Sequence, residues 1–120
     1  MMVDFHNILG TLVVVVYLAL TVINVVRVTG RQVPFVTPLS YVAGVLLLLQ
    51  IVLGFGLLGG GSVVAPGHYI LALLAIVTVG AEHGYARNRA APEVRAMAAL
   101  LATGATTILV TAAHIIGSSN

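Results

Sequence analysis

Four apolar stretches, each about as long as a bilayer's hydrocarbon core is thick, fill most of this 120-residue chain. They run over 5–27, 39–58, 67–86 and 95–116. Water does not hydrogen-bond the backbone inside a bilayer, so each stretch must satisfy its own N–H and C=O groups as a helix. The breaks between them are short. Gly30, Pro34 and Pro38 punctuate the first; Gly59, Gly60, Gly61, Ser62, Pro66 and Gly67 the second; Arg87 to Pro92 the third. Gly54, Gly56 and Gly59 weaken the end of the second span, whereas Gly104 in the fourth allows a neighbouring helix to approach closely. The pattern predicts an all-α fold, an integral membrane four-helix bundle over residues 1–120 as one domain.

Composition agrees. The chain is 60% hydrophobic and 7% charged, with mean hydropathy +1.15, against about 25% charged residues in soluble domains. No charged segment precedes the first span and no small-residue cleavage site follows it, so that span is read as a retained helix and not a signal peptide. There is no cysteine, which excludes disulfides, thiolate metal sites, iron–sulfur clusters and covalently attached haem. The net charge of +2 is too small and too localised for nucleic-acid binding.

All five basic residues are arginines in or beside two loops: Arg27 and Arg31 at the first, Arg87, Arg89 and Arg95 at the third. The positive-inside rule places those loops in the cytoplasm and both termini on the outer side of a cell (inner) membrane. That orientation sorts the histidines. His6 opens span one, His68 opens span three and His114 closes span four, all at the outer end. His83 follows His68 by 15 residues, roughly 22 Å along a helix, and is read with Glu82, Tyr85 and Arg87 as a polar cluster on the cytoplasmic surface. Imidazoles are costly inside a bilayer, so three at one depth mark a metal or haem site.

Helical spacing supplies the surroundings of that site. Gly10, Val13, Tyr17, Thr21 and Asn24 follow His6 on its face. Ala72, Ala75 and Val79, or Leu71 and Thr78, follow His68. Thr111, Thr107 and Thr103 precede His114. Span two offers Gln50, with Gly54 and Gly44 on either side of it. Zinc or copper usually recruits carboxylate or thiolate beside imidazole, and the only acidic residue at this end is Asp4. Haem asks for two imidazoles on facing helices and an apolar slot lined by small residues. The expected site is therefore one haem b per chain, with His6 and His68 as axial ligands, lined by Gly10, Gln50, Gly54 and Ala72. His114 serves as an alternative ligand or a propionate partner. With both axial positions filled, such a haem transfers electrons and leaves no position for oxygen. A second haem would need His83 and a ligand such as Met97.

The stretch Gln50-Ile51-Val52-Leu53-Gly54, then Gly59, then Gly67-His68-Tyr69-Ile70-Leu71-Ala72-Leu73-Leu74 resembles the haem A synthase family. In that family a Q-x-x-L-G helix precedes an outer loop and an H-x-x-x-A helix. The helix before them opens with a histidine in an E-x-x-H-R setting, where this chain has Phe5-His6-Asn7-Ile8-Leu9-Gly10. The interval from His6 to His68, 62 residues, is similar to the family's. Family members are built from four-helix haem-binding halves, and the chain resembles one half over about residues 3–85. The resemblance implies that His6 and His68 ligate haem near the outer face. Two positions depart: Val3 replaces the glutamate and Asn7 the arginine. The glutamate is tied to the methyl oxidation that makes haem A, so its absence argues against that reaction.

The leading expectation is a membrane cytochrome b exchanging electrons with a quinol or a periplasmic partner. The alternatives are a half-length haem A synthase-like enzyme acting as a homodimer, and a non-catalytic accessory subunit of a respiratory or photosynthetic complex. A transporter ranks last, because ionisable groups are missing at mid-membrane.

Overall fold

The computed structural model describes residues 2–61 and 65–118. Among them helix α1 covers Met2–Val28, α2 Val36–Gly59, α3 Pro66–Gly80 and α4 Pro92–Ser118. The chain after α3 continues as a wide π turn at Ala81–Tyr85 and a tight 3-10 turn at Ala86–Asn88. Four helices are thus long and apolar enough to cross a membrane, the third when its two turns are counted, as far as Asn88. Each extends the span expected from sequence by one to several residues. The glycines late in α2 do not end it early; it runs to Gly59. Gly30 and Gly61 end their helices with φ of 97° and 95°, a left-handed conformation that side chains with a Cβ resist. Ser62 lies outside the described residues.

The helices form an up-and-down bundle of 47 × 20 × 19 Å. The registry is antiparallel throughout: Thr21 meets Thr107, Thr78 meets Thr106, and Ser40 meets Glu82. α1 packs most extensively on α4, and α3 also leans on α4, while α2 and α3 barely touch.

The bundle turns its polar groups inward and presents an apolar surface outward, as lipid requires. Ile8, Leu18, Val22, Val45, Val52, Val77, Leu101 and Ile108 face outward, Ile108 with 71% of its surface exposed. The apolar core is narrow, formed by Val13, Tyr17, Leu20, Ala43, Leu47, Ala75 and Val110. Around it lie Asn24, Ser40, Glu82, Thr103 and Thr106, all buried. Hydroxyls in membrane helices satisfy themselves on the preceding turn and then bridge helices. Thr21 donates to the Tyr17 carbonyl at 2.9 Å and pairs with Thr107 at 2.9 Å. Thr106 donates to the Ala102 carbonyl and pairs with Thr78 at 2.6 Å. Asn24 donates to Thr103 at 3.0 Å and accepts from Arg27 at 2.7 Å. A seam of such bonds joins α4 to α1 and α3.

Candidate functional site

His6 lies in the first turns of α1, where a half-buried side chain can turn inward from the end of a span. Pro66 begins α3 with its φ already suited to a helix, and the His68 amide closes the first turn on the Ala65 carbonyl at 3.0 Å. His68 is thereby placed within the bundle's end. His114 comes one turn before the end of α4. All three imidazoles line a single cavity of about 380 Å³, within the size range of small-molecule sites. The convergence expected from spacing is present. Gly10, Gln50, Gly54 and Ala72 line the same cavity.

Glycine makes this convergence sterically feasible. A Cβ on Gly54 would lie 3.3 Å from the His6 ring, one on Gly10 3.0 Å from His114 Nδ1, and one on Gly117 2.9 Å from the His68 ring. Each of the three imidazoles therefore packs over bare backbone of a neighbouring helix. His83, at the far end, follows the same rule over Gly44 at 3.5 Å.

The His6 and His68 ring centroids are 6.3 Å apart, with the planes at 70°. Metal–imidazole bonds of about 2.0–2.1 Å on each side of one ion separate facing rings by roughly this distance. His68 Nδ1 lies 2.7 Å from the Ala113 carbonyl. Only an N–H can bond there, so Nδ1 is the donor, and in the neutral ring the lone pair is on Nε2. A backbone carbonyl orienting an imidazole in this way is the usual second shell of a metal-ligating histidine. His6 Nε2 has the Gln50 amide nitrogen at 3.4 Å, while His6 Nδ1 and Gln50 Oε1 are buried with no partner. Orphaned buried polar atoms are uncommon and point to a missing partner. His114 Nε2 pairs with the Thr11 hydroxyl at 3.2 Å. The centroid separation of His6 and His68 is the one observed quantity that bears on a metal centre held between them. Among the described residues no group of three or more histidine, cysteine, aspartate or glutamate side chains is placed to hold a bare metal ion.

Because α2 and α3 barely touch, Phe55 and Leu58 from α2 and Leu73 from α3 both line the cavity and face outward. The cavity thus reaches the lipid-facing surface of the bundle. Sequence periodicity missed Gly117 and the Ala113 carbonyl. Gly117 is three residues beyond His114 and on its face, but a glycine near a helix end reads as a terminator.

At the opposite end the sequence reading needs correction. Glu82 and His83 are not a surface cluster. Glu82 is buried, with 5% of its surface exposed, and accepts a hydrogen bond from Ser40 at 2.5 Å. His83 Nε2 lies 3.4 Å from the same Ser40 hydroxyl and 3.8 Å from the Glu82 carboxylate. Tyr41 stacks against the His83 ring at 5.2 Å, and Arg87 covers Tyr41 at 4.3 Å. Glu82 and His83 both belong to the π turn, whose wider ring lets two consecutive residues reach one hydroxyl. Such turns recur at functional positions. Ser40 carried no signal in the sequence reading, and Met97 faces outward, away from His83.

Comparison of the chain with protein-family models, with curated proteins and with solved structures finds no match.

Proposed function

We propose that this chain is a small multi-pass membrane cytochrome of the b type, holding one haem between His6 and His68. The observation that carries the reading is the pair of imidazoles 6.3 Å apart at the mouth of a glycine-backed cavity. His68, oriented by the Ala113 carbonyl, and His6, beside the Gln50 amide, would be the axial ligands. Gly54 and Gly10 let the His6 and His114 rings sit close over bare backbone, and Ala72 adds a small side chain to the cavity wall. His114 stands by as an alternative ligand or as a donor to a propionate. A bound haem with two axial imidazoles exchanges single electrons and has no free position for oxygen. His6 and His68 would hold the ring's iron, Val13, Leu47 and Val110 would keep water from it, and the lipid-facing gap between α2 and α3 would admit it. With the arginine loops in the cytoplasm, the haem lies near the outer face of the cell membrane. Its redox partner is then a quinol in the bilayer or a protein in the periplasm.

The likeness to one half of a haem A synthase supports the same pair of ligands. Val3 occupies the place of that family's glutamate and lines this cavity. An apolar side chain there offers nothing for oxidation of a haem methyl group, so electron transfer is favoured over a dimeric half-length enzyme.

The test is a reduced-minus-oxidised absorption spectrum of the detergent-purified protein beside His6→Ala, His68→Ala and His114→Ala. A sharp low-spin b-type band in the parent, lost or turned high-spin in the first two and retained in the third, is the expected result. Absence of any haem band after expression with ample haem overturns the reading.

A further inference from the structure

At the end opposite the histidines, four of the five arginines line a second cavity of about 830 Å³. Arg27 comes from the last turn of α1, Arg31 from the loop after it, Arg87 from the short turn after α3, and Arg95 from the first turns of α4. Four separate elements thus direct positive charge to one space. Arg89 does not; its guanidinium stacks on the exposed Tyr85 ring at 4.1 Å. Arg27 and Arg87 are held in place, by Asn24 at 2.7 Å and by Ser40 at 3.3 Å. Each of these bonds uses one of a guanidinium's five N–H donors and leaves the others available. Glu82 and Glu93 also line the cavity, so four positive charges face two negative ones and an excess of two remains. The Glu82 carboxylate is engaged by Ser40.

The two carboxylates offset part of the repulsion among the four arginines, and a bound anion would offset the remaining excess of two positive charges. Arginine forks bind phosphate oxygens bidentately. Donors arriving from several directions suit a tetrahedral group better than a planar carboxylate. The cavity lies at the end of the spans, at headgroup depth, and Val28, Val33 and Val36 line it beside the arginines. A charged pocket with an apolar flank matches an amphiphile, and basic pockets between helices on the cytoplasmic side are where anionic lipid headgroups bind.

We infer that this arginine cavity binds a phosphate group, carried most readily by an anionic phospholipid of the surrounding leaflet. The site is independent of the histidine cavity and of any haem there.

The test is native mass spectrometry of the detergent-solubilised full chain, titrated separately with phosphatidylglycerol, phosphatidylcholine and inorganic phosphate. One phosphatidylglycerol per chain is expected, in preference to phosphatidylcholine. The Arg31→Gln/Arg95→Gln double variant should bind it ~tenfold or more weakly. Arg89→Gln should bind it as the parent does. Competition by millimolar inorganic phosphate assigns the site to free phosphate; no competition assigns it to the lipid. The proposal is overturned if phosphatidylglycerol is not preferred and phosphate does not bind, or if Arg89→Gln weakens binding as much as the double variant, which would mean diffuse surface charge. Thermal unfolding of both variants, expected to match the parent, guards against loss of the fold.

Discussion

The two ends of this bundle are built from the same four helices and differ in almost everything else. The histidine end gathers three imidazoles, each on a glycine, with an apolar wall and no charged lining residue; buried unpaired nitrogen and oxygen atoms occur at both ends, His6 Nδ1 and Gln50 Oε1 here, Glu82 Oε1 and His83 Nδ1 there. The arginine end has a buried carboxylate, fixed guanidiniums and a wider, more polar cavity. In a bilayer a polar atom left without a partner is tolerated only where something else completes it. At the histidine end the uncharged slot suits a ligand that is mostly apolar with one coordinating centre. At the arginine end the excess positive charge suits an anion. Between them runs the hydroxyl seam of Thr21, Thr107, Thr103 and Asn24, which fixes the helices without a charge at mid-membrane.

The sharpest way to break this comparison is to fill one end and leave the other alone. Gly117→Leu places side-chain carbons where a Cβ alone already lies 2.9 Å from the His68 ring. Haem retention should be abolished, seen as loss of the b-type band, while phosphatidylglycerol binding by mass spectrometry stays at the parent level. Retention of the band would mean that the His68 ring does not need its glycine seat.

Sidedness is the next test, and the absence of cysteine makes it clean. Gly60→Cys should react with a membrane-impermeant maleimide in intact cells. Asn88→Cys, in the turn after α3, should react only after permeabilisation. The reverse pattern would move the histidine cavity to the cytoplasmic face.

A smaller effect is expected at the buried carboxylate. Glu82→Ala leaves Ser40 without its acceptor and removes the negative charge from among the arginines. It should lower stability by about 1–3 kcal/mol, measured as a shift in thermal unfolding in detergent, while Glu82→Gln keeps an acceptor and loses less. An unchanged melting temperature in Glu82→Ala would show that this end is not held together through Ser40.

The smallest effect belongs to the seam. Asn24→Leu removes the bonds to Thr103 and from Arg27. Interhelical hydrogen bonds in membranes contribute about 0.6–1.7 kcal/mol, so chemical denaturation in mixed micelles should show a loss of that size with the haem spectrum unaltered. A larger loss would mean that the two ends are coupled through the seam.

Much of this was legible in the order of the residues. Hydropathy and length placed four helices, because only a helix satisfies its backbone within a span of lipid. Arginine placement divided the loops into two groups, and spacing put His6, His68, His114, Gly10, Gln50 and Gly54 at one end and on inward faces. Those inferences rest on local rules: a fixed rise per residue and the cost of a polar group facing lipid. The tertiary structure alone decided which helices press together and which part. It set α1 and α3 on α4, left α2 and α3 apart to open the cavity, and paired each imidazole with a particular glycine across a helix boundary. It also drew Glu82 inside, because the π turn and the Ser40 hydroxyl on another helix together gave the carboxylate a partner that no neighbour in sequence supplies.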